Sequence, residues 1–124
     1  MAKNVPNISE SEWEIMKVLW ENAPLTANEV VEALAKADWK PKTIRTLLDR
    51  LTKKKVVGVN KEHRVYSFYP LYAESECQRA EAKSFIDRIY GGTMKSMLAQ
   101  FIEEDALSEE EMMELRQMLE KKGK

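Results

Sequence analysis

The chain has 124 residues, of which 44% are apolar and 33% are Asp, Glu, Lys or Arg, which suffices for a core in one domain or two very small ones but leaves little room for a catalytic cleft between lobes. One cysteine, Cys77, excludes an internal disulfide, and one histidine, His63, leaves no pair of soft ligands for a metal, so neither a cofactor nor a metal site is expected. The net charge of −1 conceals a segregation: formal charge is −4 over residues 1–35, +7 over 36–64, zero over 65–102 and −4 over 103–124, and a cationic block between acidic flanks is the footprint of a polyanion partner.

No apolar run approaches the ~20 residues that span a bilayer, and the first ten residues, MAKNVPNISE, lack the apolar centre of a signal peptide. A cytoplasmic protein without membrane insertion is expected. From the N-terminus, Ser9 and Glu12 form a capping box, and Trp13, Met16, Leu19 and Trp20 follow at helical spacing to Asn22, which predicts a first helix over 9–22. Thr26 and Glu29 repeat the box, and Ala27, Val30, Val31 and Leu34 define one apolar stripe of a second helix over 27–36. Pro41 suits a first helical turn, and Ile44, Leu47, Leu48 and Leu51 step through a third helix over 41–54. The period then changes. VVGVNK and RVYSFYP, rich in β-branched and aromatic residues and separated by Glu62-His63, read as an antiparallel hairpin closed by Pro70. Helical spacing returns over 74–90 until Gly91-Gly92, then over a short helix bearing Met94 to Ile102, then over a helix capped by Ser108 and Glu111.

This order predicts a mainly α protein: a winged helix-turn-helix of three helices plus a two-stranded β-hairpin wing over 1–72, then a three-helix dimerisation region over 73–124. In such a fold the third helix enters the DNA major groove and the wing touches the neighbouring backbone, and the cationic block spans both. With the leucines inward, Lys42, Arg45, Thr46, Asp49 and Lys53 share the outer face of the third helix. Arg45 can fork onto guanine O6 and N7, and Thr46 can bond a base edge or touch a thymine methyl, so these two are the base-reading candidates. Lys40 and Lys42 at the helix start are placed for phosphate, Thr43 and Arg50 flank the face, and Lys61 and Arg64 sit at the hairpin tip. Asp49 repels phosphate unless it pairs with Arg45 or Lys53 one turn away; it could instead accept from cytosine N4. A solvated polar face would carry the same residue types, and it is the hairpin directly after the helix that favours DNA.

In the last 40 residues, Phe85, Ile89, Met94, Met97, Leu98, Phe101, Ile102, Leu115, Met118 and Leu119 are too many apolar side chains for three short helices to hide, so a second copy of the chain is the expected cover. Catalysis is not expected: Cys77 and His63 are alone in their classes, and Ser96 and Ser108 have no second histidine to activate them. Cys77, in the polar stretch ESECQ, reads as a bystander, and His63 as exposed or phosphate-facing.

The strings EWEIMKVLW (12–20), TANEVVEAL (26–34), PKTIRTLLDRL (41–51), FIDRIYGGTMKSML (85–98) and LSEEEMMELRQML (107–119) closely resemble the BlaI/MecI penicillinase-repressor family over nearly the full length. The resemblance implies a homodimeric repressor of a β-lactam resistance operon that binds a palindromic operator. It further implies derepression when a membrane-bound sensor protease triggers cleavage within the dimerisation region. The family's cut falls at an Asn-Phe bond, and the corresponding pair here is Gln100-Phe101. Lys40 stands where the family often has a Ser cap, and Lys55 where it often has Gly; the tail lacks the cysteine-rich motif of the copper-responsive branch. The rival readings are a winged-helix regulator of an unrelated operon without proteolytic induction, and a winged-helix module that binds protein.

Overall fold

The computed structural model describes residues 5–123. Its elements are α1 (Glu10–Asn22), β1 (Leu25–Thr26), α2 (Ala27–Ala33), a 3-10 turn (Ala35–Ala37), α3 (Pro41–Lys53), β2 (Val57–Asn60), β3 (Ser67–Pro70), α4 (Glu74–Tyr90), α5 (Met94–Glu103) and α6 (Glu109–Lys122). They form two compact units, one ending at Glu81 and one beginning at Ala82.

In the first unit, capping boxes at Ser9/Glu12 and Thr26/Glu29 start α1 and α2, each satisfying two backbone N–H groups that a helix start leaves unpaired. The apolar stripes then meet: Ile15, Met16 and Leu19 of α1, Val30 of α2, and Ile44, Leu47, Leu48 and Leu51 of α3 are buried together with Ile8, Leu34, Val56, Val57 and Cys77. Trp20 adds a polar anchor, its indole N–H donating to the Tyr72 carbonyl at 2.9 Å, and its ring lies 5.5 Å from that of Trp13.

Three expectations change on contact with the tertiary structure. The second helix is shorter than 27–36: α2 ends at Ala33, and the chain turns through the 3-10 segment to Asp38, whose φ of 61° is left-handed and compatible with the short polar side chain of Asp. The hairpin has a third neighbour, because β1 pairs antiparallel with β3 (Leu25 opposite Phe68) on the edge away from β2, giving the order β1-β3-β2. A two-residue strand leaves no alternating pattern to read. The wing tip is also longer than the Glu62-His63 pair: β2 stops at Asn60, whose Oδ1 accepts from the Glu62 N–H at 2.9 Å, and β3 resumes only at Ser67. Cys77, read as a bystander in a polar stretch, packs in the core at 1% exposure, and its thiol is pushed above its ordinary pKa by burial and by neighbouring Glu76.

The junction from α3 into the wing is a Schellman turn: the Val56 N–H donates to Leu51 O at 3.0 Å and the Lys55 N–H to Thr52 O at 3.0 Å. Lys55, at the residue after the cap, has φ 66°, where glycine is the usual occupant. Next to it, Lys54 Nζ reaches back to Glu12 Oε1 at 2.6 Å and to the Asn7 carbonyl at 2.9 Å. Glu12 is 1% exposed, so its charge requires partners. Burial pushes its carboxyl up, but the Lys54 ammonium and the Ser9 backbone N–H outweigh that and hold it below its ordinary value of 4.5.

In the second unit, Thr93 caps α5, and Ser108 with Glu111 forms the capping box of α6. Gly91 and Gly92, both at positive φ, end α4. Asp105 at φ 55° closes α5 through the Ala106 N–H to Phe101 O at 2.9 Å. Among the described residues of this unit, Ile86 alone is buried.

Candidate nucleic-acid interface

The apolar stripe of α3 fixes which side of it faces water. Ile44 and Leu51 have no exposed surface, whereas Lys42, Thr43, Arg45, Thr46, Asp49, Arg50 and Lys53 are all exposed. Lys40, also exposed, is the N-cap of α3 and makes no side-chain capping bond, so the first turn keeps unpaired N–H groups beside two lysines. Asp49 is neutralised within the helix, its carboxylate 3.2 Å from Lys53 Nζ, which removes the repulsion that an isolated carboxylate would exert on phosphate.

The two base-reading candidates differ in how they are held. Thr46 donates its hydroxyl proton to the Lys42 carbonyl at 2.9 Å, so toward solvent it offers a lone pair and a methyl group. Arg45 extends to the start of α2, where its Nη2 donates to the side-chain oxygen of Asn28. Lys61 and Arg64 are exposed in the 61–66 connection, with Lys61 Nζ 5.7 Å from the centre of the Tyr66 ring, a cation–π contact that steadies the wing tip. His63 is exposed. Between α3 and the wing lies a cleft of about 340 Å³, floored by Leu48, Val59 and Phe68 and edged by Arg45 and Lys61. A second hollow shares Arg45, Tyr66 and Phe68 and adds Asn28 and Arg64.

Three residues of this region carry no signal in the sequence. Asn28 lies 17 positions from Arg45, and only helix packing joins them. Tyr66 reads as one more strand aromatic, yet it is 48% exposed at the wing tip. Lys54 counts toward the cationic block, but its ammonium is committed to Glu12 and Asn7.

In the second unit, Phe85, Ile89, Met94, Phe101, Ile102, Met118 and Leu119 are exposed, and Met97, Leu98 and Leu115 are half-buried. Met113, which the helical spacing left aside, is 62% exposed alongside Met112. The Gln100-Phe101 pair lies inside α5, where Gln100 Nε2 donates to Glu104 one turn on. Among the described residues, no three His, Cys, Asp or Glu side chains converge to hold a metal ion, and no helix is long and apolar enough to cross a membrane.

A three-helix core, an exposed cationic third helix and an antiparallel wing directly after it define a winged helix-turn-helix protein of the DNA-binding kind. The penicillinase repressor family matches residues 8–121. The penicillinase repressor of Bacillus licheniformis is 44% identical over 95% of this chain and 93% of its own length, and the methicillin resistance regulatory protein MecI of Staphylococcus aureus strain N315 is 39% identical over 98% and 100%. A solved structure of the monomeric form of Bacillus licheniformis BlaI in complex with the blaP half-operator is 43% identical, covering 59% of this chain and 90% of that one, with a TM-score of 0.52. The chain belongs to the penicillinase repressor family, whose members are DNA-binding transcriptional repressors and not enzymes.

Proposed function

We propose that this protein is a cytoplasmic repressor of β-lactam resistance genes that binds a palindromic operator as a homodimer, through the 1–72 winged helix, with residues 73–124 joining the two copies. The observation that carries this reading is the outer face of α3: Lys42, Arg45, Thr46 and Arg50 stand exposed on one rigid helix whose other face is sealed in the core. Arg45 and Thr46 meet base edges. Lys40, Lys42, Thr43, Arg50 and Lys53 approach the flanking phosphates from α3, and Lys61 and Arg64 do so from the wing. Relatives named as penicillinase and methicillin resistance regulators support the choice of regulated genes.

The apolar faces of α4, α5 and α6 are the surface that a second copy covers, and a two-fold pair of reading heads requires a palindromic site. Joining the heads makes the second contact intramolecular, so proteolysis that separates them weakens operator binding by orders of magnitude and works as a switch. A sensor protease that cuts at Gln100-Phe101 meets a helical bond in α5 and has to open that turn locally before the backbone can extend into a protease site.

The experiment is selection of bound duplexes from a random pool, followed by affinity measurements across a salt series. A steep loss of affinity with salt is expected. Arg45→Ala is expected to relax sequence preference, whereas Lys42→Ala weakens binding to all duplexes about equally. Affinity that does not change with salt would overturn the DNA reading, and enrichment of no palindrome would overturn the dimeric one.

A further inference from the structure

We infer that Asn28, at the start of α2, is a positioning residue for sequence recognition: its side-chain oxygen holds the guanidinium of Arg45 in the orientation that reads a base. The inference rests on the reading of α3 as the DNA-contacting helix and adds to it the device by which one side chain of that helix is aimed.

An exposed arginine on a helix has four side-chain torsions to fix before its fork can dock, and that ordering opposes binding. Arg45 does not face solvent unrestrained. It spans from α3 to α2 and donates from Nη2 to Asn28. One of its five N–H donors is used, and four remain, more than the two that guanine O6 and N7 accept. The arrangement is rigid at both ends because each helix is anchored in the core: α2 by Val30, two residues after Asn28, and α3 by Ile44, directly before Arg45, and neither has exposed surface. Thr26 and Glu29 complete the capping box around Asn28 and spend their own polar groups on backbone N–H groups. Asn28 itself is exposed and uncharged, so it adds orientation to the site without adding to its phosphate-neutralising charge.

The test uses the full-length protein and the duplex that the wild type selects from a random pool, together with duplexes altered at each base pair in turn. Arg45→Ala identifies the base pair whose alteration no longer matters. At that pair, Asn28→Ala is expected to reduce discrimination about three- to tenfold, the size of one hydrogen bond's net effect. Discrimination elsewhere, the salt slope and the melting temperature stay at wild-type values. Asn28→Asp keeps the acceptor and retains the discrimination, although its charge lowers affinity for every duplex. Combining Asn28→Ala with Arg45→Ala adds no further loss at that pair. The inference is overturned if Asn28→Ala weakens binding to all duplexes equally, as a direct phosphate contact would, or if the two substitutions are additive. If Arg45→Ala alters preference at no base pair, the base-reading role of Arg45 itself fails. Loss at one pair in Arg45→Ala with unchanged discrimination in Asn28→Ala overturns the positioning role alone.

Discussion

The two units are made of nearly the same material and end in opposite states. Residues 82–124 hold 18 apolar residues among 43, close to the 44% of the whole chain, yet Ile86 is the one buried among those described there, whereas the first unit seals Ile15, Met16, Leu19, Val30, Ile44 and Leu51 almost completely. Composition therefore does not make a core. In the first unit, stripes on α1, α2 and α3 converge and β2 and β3 close the end, so each side chain finds contacts on all sides. In the second unit, α5 and α6 present theirs to solvent, a surface whose exposure costs free energy and which the proposed second copy would cover.

The sharpest way to break this comparison is to put charge on the open surface. Phe101→Asp or Leu119→Asp is expected to convert dimers to monomers in sedimentation and to weaken operator binding about a hundredfold or more while leaving the first unit folded. Wild-type dimers from both variants would move the interface elsewhere. Truncation inside the closed unit should behave in the opposite manner: Leu48→Ala, at a site 1% exposed, is expected to lower stability by about 2–5 kcal/mol in thermal or urea unfolding. That loss should not vary with protein concentration, whereas Leu119→Ala should change a concentration-dependent midpoint instead.

A smaller effect tests how α3 is tied to the rest of the first unit. Because Glu12 has a folded-state pKa below its ordinary 4.5, its contribution is complete above about pH 4.5 and is lost as pH falls through the lower folded value. Unfolding across pH 2–7 should show that slope in the wild type and a weaker one in Glu12→Gln. Lys54→Ala leaves the buried carboxylate without its cation and should cost about 1–2 kcal/mol at pH 7, discounted because Lys54 is 34% exposed. The smallest changes concern the two ends of α3. Lys40→Ser supplies the missing cap and should add about 1 kcal/mol of stability while weakening binding to every duplex. Lys55→Gly relieves the left-handed backbone and should add less than about 1 kcal/mol, since glycine also gains freedom in the unfolded chain.

These tests mark how far residue patterns carry. The helix starts at Ser9, Thr26 and Ser108 are legible because a capping box is a local contact three residues long. The inward face of α3 is legible because a period of 3.6 residues assigns every side chain to a side. The Schellman turns at Lys55 and Asp105 are not, because neither holds the glycine that marks such turns. Strand β1 is not legible either, since two residues carry no period and only β3 defines them as a strand.

The linear order of residues determined the winged-helix class, the cationic outer face of α3 and the surplus of apolar side chains after residue 82, since each follows from spacing or charge within a short window. Folding in three dimensions decided which cations remain available. It withdrew Lys54 to a buried carboxylate 42 residues away, placed Arg45 against Asn28 and took Cys77 into the core. Each of these depends on the angle and register at which elements pack, which no local pattern encodes.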